Sequence, residues 1–134
     1  MISFMTAVDG NGDPRSYLAN EDTYKTLREL ERKNLVVPVV GNFGGDKAIR
    51  AVGAYLKEKG AIVSAFYLSN VEQYLRQDDL WTTFCENVAA LPLDRSSTFI
   101  RSVRGGGYGV GLNSKLGDMS AETENCKDST LPLR

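Results

Sequence analysis

Leu35-Val36-Val37-Pro38-Val39-Val40, then Gly41-Asn42-Phe43-Gly44-Gly45, then Asp46 to Lys59 and Ala61 to Leu68 read as strand, glycine loop, helix and strand. The first run is apolar throughout, as in a strand covered on both faces. The glycines let the backbone turn sharply. Ala48, Ile49, Val52, Tyr55 and Leu56 recur at helical spacing, and Gly60 stops the helix. Two parallel strands need such a crossover, and ligands of open α/β sheets sit beyond the carboxyl ends of the strands. Pro38 cuts across this reading. It has no N–H for a ladder, so it implies an edge, a bulge or a strand end.

Upstream, Asn20 reads as the N-cap of a helix to about Lys33, with Glu21 and Asp22 at its positive end and Asn34 at its exit. Tyr24, Leu27 and Leu30 form its apolar stripe. Downstream, Ser69-Asn70 caps a helix that ends near Gln77-Asp78-Asp79. Another runs from Leu80 to about Leu91, before Pro92. Ser97 to Val103 is a third strand. From Gly105 the chain turns glycine-rich and then polar, with few large apolar residues. Such a stretch buries too little surface to offset the entropy of ordering it. The expected organisation is an α/β domain over 1–104, with a small, mostly parallel sheet and flanking helices, and a flexible, disordered tail over 105–134.

Composition narrows the function. A chain of 134 residues with 42% hydrophobic and 25% charged residues is one ordinary domain with a core. A net charge of −1 gives no electrostatic case for nucleic acid or an anionic membrane. No apolar run approaches the roughly 18 residues of a membrane span. The first residues lack the pattern of a signal peptide, so the default location is cytoplasmic. There is no histidine, which removes Ser-His-Asp and Cys-His chemistry and histidine-based zinc; no metal is expected. Cys85 falls among Trp81, Phe84 and Val88 and reads as a small core residue, and Cys126 as a free thiol.

The candidate ligand-binding residues are Gly41, Asn42, Phe43, Gly44 and Gly45, with Ser69 and Asn70 at the end of the second strand. A glycine loop entering a helix presents free N–H groups and a positive dipole end to an anion. The spacing is neither G-x-G-x-x-G nor a Walker loop, and Asp46 in the first turn would repel an anion. The same glycines also fit a tight βα turn that binds nothing. Asn70 could meet a ribose hydroxyl, or be a plain N-cap with Glu72 in the first turn. Asp9, Asn11 and Asp13 resemble the start of a calcium loop, but Pro14 and Asn20 stand where Gly and Glu are required, so a turn is expected. Arg95, Arg101 and Arg104 read as solvated charge, and Asp94 as a possible base without a partner in sequence.

Several runs carry a family resemblance: Asn34-Leu35-Val36-Val37-Pro38-Val39-Val40-Gly41-Asn42-Phe43-Gly44-Gly45, Lys47-Ala48-Ile49-Arg50-Ala51-Val52-Gly53 and Phe66-Tyr67-Leu68-Ser69-Asn70-Val71-Glu72-Gln73-Tyr74-Leu75. Leu91-Pro92-Leu93-Asp94 and Ser97-Thr98-Phe99-Ile100-Arg101-Ser102 extend it. On these, residues 1 to about 104 resemble the carboxy-terminal half of an uncharacterised bacterial family of Rossmann type, some of whose members are similar to S-adenosylmethionine-dependent methyltransferases. The resemblance implies a Rossmann-like half, an adenosyl or nucleotide ligand such as S-adenosylmethionine, and a truncated domain whose upstream half is missing. The rival expectation is a non-enzymatic fragment or interaction module that pairs through its sheet edge, as a homodimer. A phosphate- or sugar-nucleotide-binding domain is a third.

Overall fold

The computed structural model describes residues 6–104 and 112–126. The chain divides into two compact units, Met1–Val39 and Val40–Arg134.

In the first unit, helix α1 spans Glu21–Arg32. Asn20 caps it: its side-chain oxygen accepts from the N–H groups of Asp22 and Thr23 at 3.0 and 2.9 Å. At the other end Asn34 adopts φ 53°, and the Leu35 N–H bonds the Leu30 carbonyl at 2.9 Å. That left-handed exit satisfies carbonyls the helix leaves open. No residue of α1 is buried. Tyr24 and Leu30 are exposed, and Leu27 is half-buried.

The run Leu35–Val40 corrects the sequence reading. It forms no strand, and Leu35, Val36, Val37, Val39 and Val40 are all exposed. From Val36 to Val40 the backbone makes no hydrogen bond to any described residue. An apolar run becomes a strand only when another strand takes its backbone groups, and Pro38 offers no donor of its own.

The second unit holds α2 (Ala48–Glu58), β1 (Ala65–Ser69), α3 (Val71–Gln77), α4 (Trp81–Ala89), β2 (Thr98–Arg104), β3 (Leu112–Asp118) and α5 (Met119–Thr123). Gly60, at φ 63°, closes α2 with the Ala61 N–H on the Leu56 carbonyl at 2.9 Å. Asp79, at φ 55°, makes the equivalent exit from α3, where Leu80 N–H reaches the Leu75 carbonyl at 2.8 Å.

Among the described residues the sheet has three strands in the order β1-β2-β3. β1 and β2 are parallel; β2 and β3 are antiparallel, from Thr98 opposite Asp118 to Arg104 opposite Leu112. So the fold is mixed α/β with a small open sheet, and the mostly parallel sheet is corrected to one parallel and one antiparallel pair. The tail expectation is corrected as well: Leu112–Thr123 forms a strand and a helix. The rest of that stretch, 105–111 and 127–134, lies outside the described residues.

Alternation along the strands sets the layers. Phe66, Leu68 and Phe99 face the helices, and the core gathers Ile49, Leu75, Phe84, Val88, Leu91 and Met119 against them. The rings of Phe43, Phe66, Phe84, Phe99 and Trp81 form a connected chain at centroid distances of 5.6–6.5 Å. On the other face, register places Tyr67, Ile100 and Leu116 in one row. Tyr67 is 62% exposed and Leu116 65%. Among the described residues, no helix is long and apolar enough to cross a membrane.

Candidate functional site

The glycine loop is seated by packing. Asn42 Oδ1 accepts from the Gly44 N–H at 2.9 Å, and the Asn42 carbonyl from the Gly45 N–H at 3.1 Å. Phe43 points its ring into the aromatic chain, 6.1 Å from Phe66. Gly44 is buried: a Cβ there would lie 2.6 Å from Leu80 Cβ and 3.2 Å from Leu75 Cδ2. At Gly41 a Cβ would overlap the Cβ of Ala48. The Gly45 carbonyl accepts from Asn87 Nδ2 at 2.6 Å, and Asn87 Oδ1 accepts from Arg50 Nε at 2.6 Å. Asn87 is wholly buried. The loop is thereby tied to α4 on one side and to the start of α2 on the other.

Ser69 and Asn70 lie where β1 passes into α3. Ser69 adopts φ 51°, and the β1–β2 register shifts between Tyr67 and Ser69. Asn70 is the N-cap residue of α3, yet its side chain makes no capping bond. The side chains that close on Gly44 are those of Leu75 and Leu80. Leu75 is five residues past Asn70, about 7 Å along the helix axis. Beside this turn, Tyr67 Oη and Ser102 Oγ are 3.1 Å apart. The Ser102 hydroxyl, and after it Ser69, holds the Tyr67 phenol below its usual range.

The charged centre of the second unit was not legible in the sequence. Arg101 is no solvated cation; its side chain is only 11% exposed. Its Nε and Nη2 meet both carboxylate oxygens of Glu72, the second at 3.0 Å. Its Nη1 and Nη2 meet Glu122 at 3.2 and 2.7 Å. The guanidinium also lies 4.5 Å from the centre of the Phe99 ring. This fork joins α3, β2 and α5. A Cβ at Gly117 would overlap the Glu122 carboxylate and Arg101 Nη1, so β3 approaches the fork through a glycine. With both carboxylates engaged, the group suits locking elements together better than meeting an incoming anion.

The other candidates resolve locally. Arg95 is exposed. Asp94 accepts from the Ser96 hydroxyl at 2.7 Å and the Ser96 N–H at 2.8 Å, and these bonds hold its carboxyl below the ordinary range. It acts as a turn anion. Asp9 Oδ1 takes the N–H groups of Asn11 and Asp13, and Arg15 pairs with Asp9 and Asp13 at 3.0 Å each, so those carboxylates build the expected turn. Cys85 is a buried core residue, as expected, but Cys126 is corrected from a free thiol to the disulfide partner of Cys85, with Cα atoms 5.5 Å apart. The bridge ties the chain just after α5 to α4. Its two cysteines are 41 residues apart, and only contact through the folded core could reveal the pair.

These features define a mixed α/β domain with a small open sheet, helices on one sheet face and a buried ion fork centred on β2. The chain belongs to the family described as a domain of unknown function (DUF7790), which it matches over residues 3–126. That match runs past Arg104 and takes in β3, α5 and Cys126. No curated protein matches the chain.

Proposed function

We propose that this chain is a non-enzymatic interaction module that takes up an extended strand at the free edge of β1. One observation carries the reading: from Ala61 to Asn70 there is no charged residue and no proline, while the opposite edge strand, β3, bears Lys115 and Asp118. Charged residues on an edge strand discourage pairing, and a bare apolar edge invites it. The Thr98 N–H bonds the Ser64 carbonyl at 3.0 Å. Even-numbered residues of β1 therefore serve β2, and Ala65 and Tyr67 turn their backbone groups outward.

The rival reading, an adenosyl cleft between Gly41–Gly45 and Ser69-Asn70, needs the loop to open. Leu75, Leu80 and Asn87 against that loop weigh against it. A thermal-shift series separates the two. S-adenosylmethionine, S-adenosylhomocysteine, NAD and ATP are each added at fixed protein concentration, and the protein alone is then varied a hundredfold. The edge reading expects no ligand shift and a melting temperature that rises with protein concentration, because association stabilises by mass action. A rise of several degrees with an adenosyl compound, at a melting temperature independent of protein concentration, overturns it.

A further inference from the structure

Two features fit each other among the described residues: a strand edge without a strand, and a strand-forming run without an edge. Resting on the edge reading above, we infer that the β1 edge is filled by Leu35–Val40 of a second copy, exchanged reciprocally. Four observations support this occupant.

The run is β-branched and apolar at Val36, Val37, Val39 and Val40, the composition of a strand interior. Its side chains are exposed, Val40 completely, and from Val36 onward its backbone bonds no described residue. Its six residues match the five of β1.

The chain order is the second argument. Leu35–Val40 precedes α2, and α2 precedes β1, which is the order of a strand–helix–strand crossover. A segment exchanged between copies makes the contact that its place in the chain would make at home. The loop Gly41–Gly45 is where it leaves α2, with Gly41 set against Ala48.

Pro38 supplies the third argument, and turns from an obstacle into a device. In a strand, the N–H and C=O of one residue point to one side and those of the next residue to the other. If Val37 and Val39 bond β1, Pro38 faces outward with no donor to offer. The new outer edge is then blocked, and assembly stops at a closed dimer instead of growing into a filament.

Charge is the fourth. Leu35–Val40 is uncharged, and so is β1. The β3 edge would set Lys115 beside the incoming run.

The test uses the full chain under non-reducing conditions, which keeps the Cys85–Cys126 bridge. Val37→Cys and Ala65→Cys are made in separate chains, at exposed positions where a cysteine fits. They are mixed and treated with a short bismaleimide. The expected result is a covalent heterodimer of one V37C and one A65C chain. In the wild type, amide exchange at Val37, Val39, Ala65 and Tyr67 should slow together, by roughly tenfold or more, as concentration rises. Coupling of A65C only to A65C would refute Leu35–Val40 as the occupant and leave the edge reading standing. Coupling within one V37C/A65C chain at high dilution would refute exchange. Folded protein with no coupling, and no concentration dependence of exchange, would refute this inference and the edge reading together.

Discussion

Substituting Gly44 by alanine tests whether the glycine loop is packed or open. Gly44 does not have positive φ, so alanine meets no backbone penalty there. What it meets is Leu80 Cβ at 2.6 Å, Leu80 Cδ1 at 3.1 Å and Leu75 Cδ2 at 3.2 Å. The nearest of these is anchored to the backbone and cannot swing aside. Overpacking of this kind costs about 1–3 kcal/mol. The stiffer unfolded chain returns about 0.4–1 kcal/mol. The net expectation is a loss of about 1–2 kcal/mol. Gly45→Ala is the control, since its nearest atoms are Asn42 Cβ and O at 3.3 Å, and it should stay within about 0.5 kcal/mol of wild type. Urea unfolding reads both. With a slope of about 1.5 kcal/mol/M the Gly44→Ala midpoint falls by about 1 M. Equal midpoints for the two variants would refute the packed loop and restore an open cradle.

Arg101→Met should cost about 3–5 kcal/mol, because it leaves Glu72 buried without its partner; adding Glu72→Gln should recover part of that, and strictly additive losses in urea unfolding would refute the ion fork. Reducing Cys85–Cys126 opens a 41-residue loop and should lower stability by about 4 kcal/mol on chain entropy, and an unchanged midpoint under dithiol reductant would refute the bridge. Asp94 has a depressed pKa, so its turn is supported above the usual carboxylate range and loses that support as pH falls through the lowered value. Ser96→Ala should move its titration upward, as followed by carboxyl carbon NMR, and an unmoved midpoint would refute the assigned cause. Pro38→Val should let the proposed dimer grow into larger species seen by light scattering, and a distribution unchanged from wild type would count against an edge-blocking proline.

Local signals carried most of the helices. Asn20 with Glu21 and Asp22 marked the start of α1, and Gly60 and Gln77-Asp78-Asp79 marked the ends of α2 and α3, since caps and exits depend on a few neighbouring residues. Leu35–Val40 misled because an apolar β-branched run states a preference, and a preference becomes a strand only when another strand receives it. The glycine loop was visible as a turn. Its contents were not, because the leucines against Gly44 lie some thirty residues further along the chain. Arg101 misled in the opposite way. In sequence it sits in a strand of mixed polarity with two other arginines near it, and nothing local says that Glu72 and Glu122 close on it from two different helices.

The polar end of the chain shows why composition alone is a poor guide to order. Asn113, Ser114 and Lys115 look like tail because they bury almost nothing. They are held by the β2–β3 ladder, whose antiparallel register runs unbroken from Thr98–Asp118 to Arg104–Leu112 and depends on backbone, not on side-chain polarity. The burial that a tail lacks arrives with only a few residues. Met119 is fully enclosed in the core, Thr123 is buried, Glu122 completes the Arg101 fork, and Cys126 is bonded to Cys85. A five-residue helix cannot nucleate on its own propensity, so α5 exists because these four attachments fix it. Loss of any one attachment should therefore loosen β3 and α5 before it disturbs β1 and β2. Hydrogen exchange on Met119→Ala, with the bridge intact, checks that order. If β1 amides lost protection as early as those of Ser114 to Leu116, the carboxy-terminal hairpin and helix would have to be an integral part of one cooperative core.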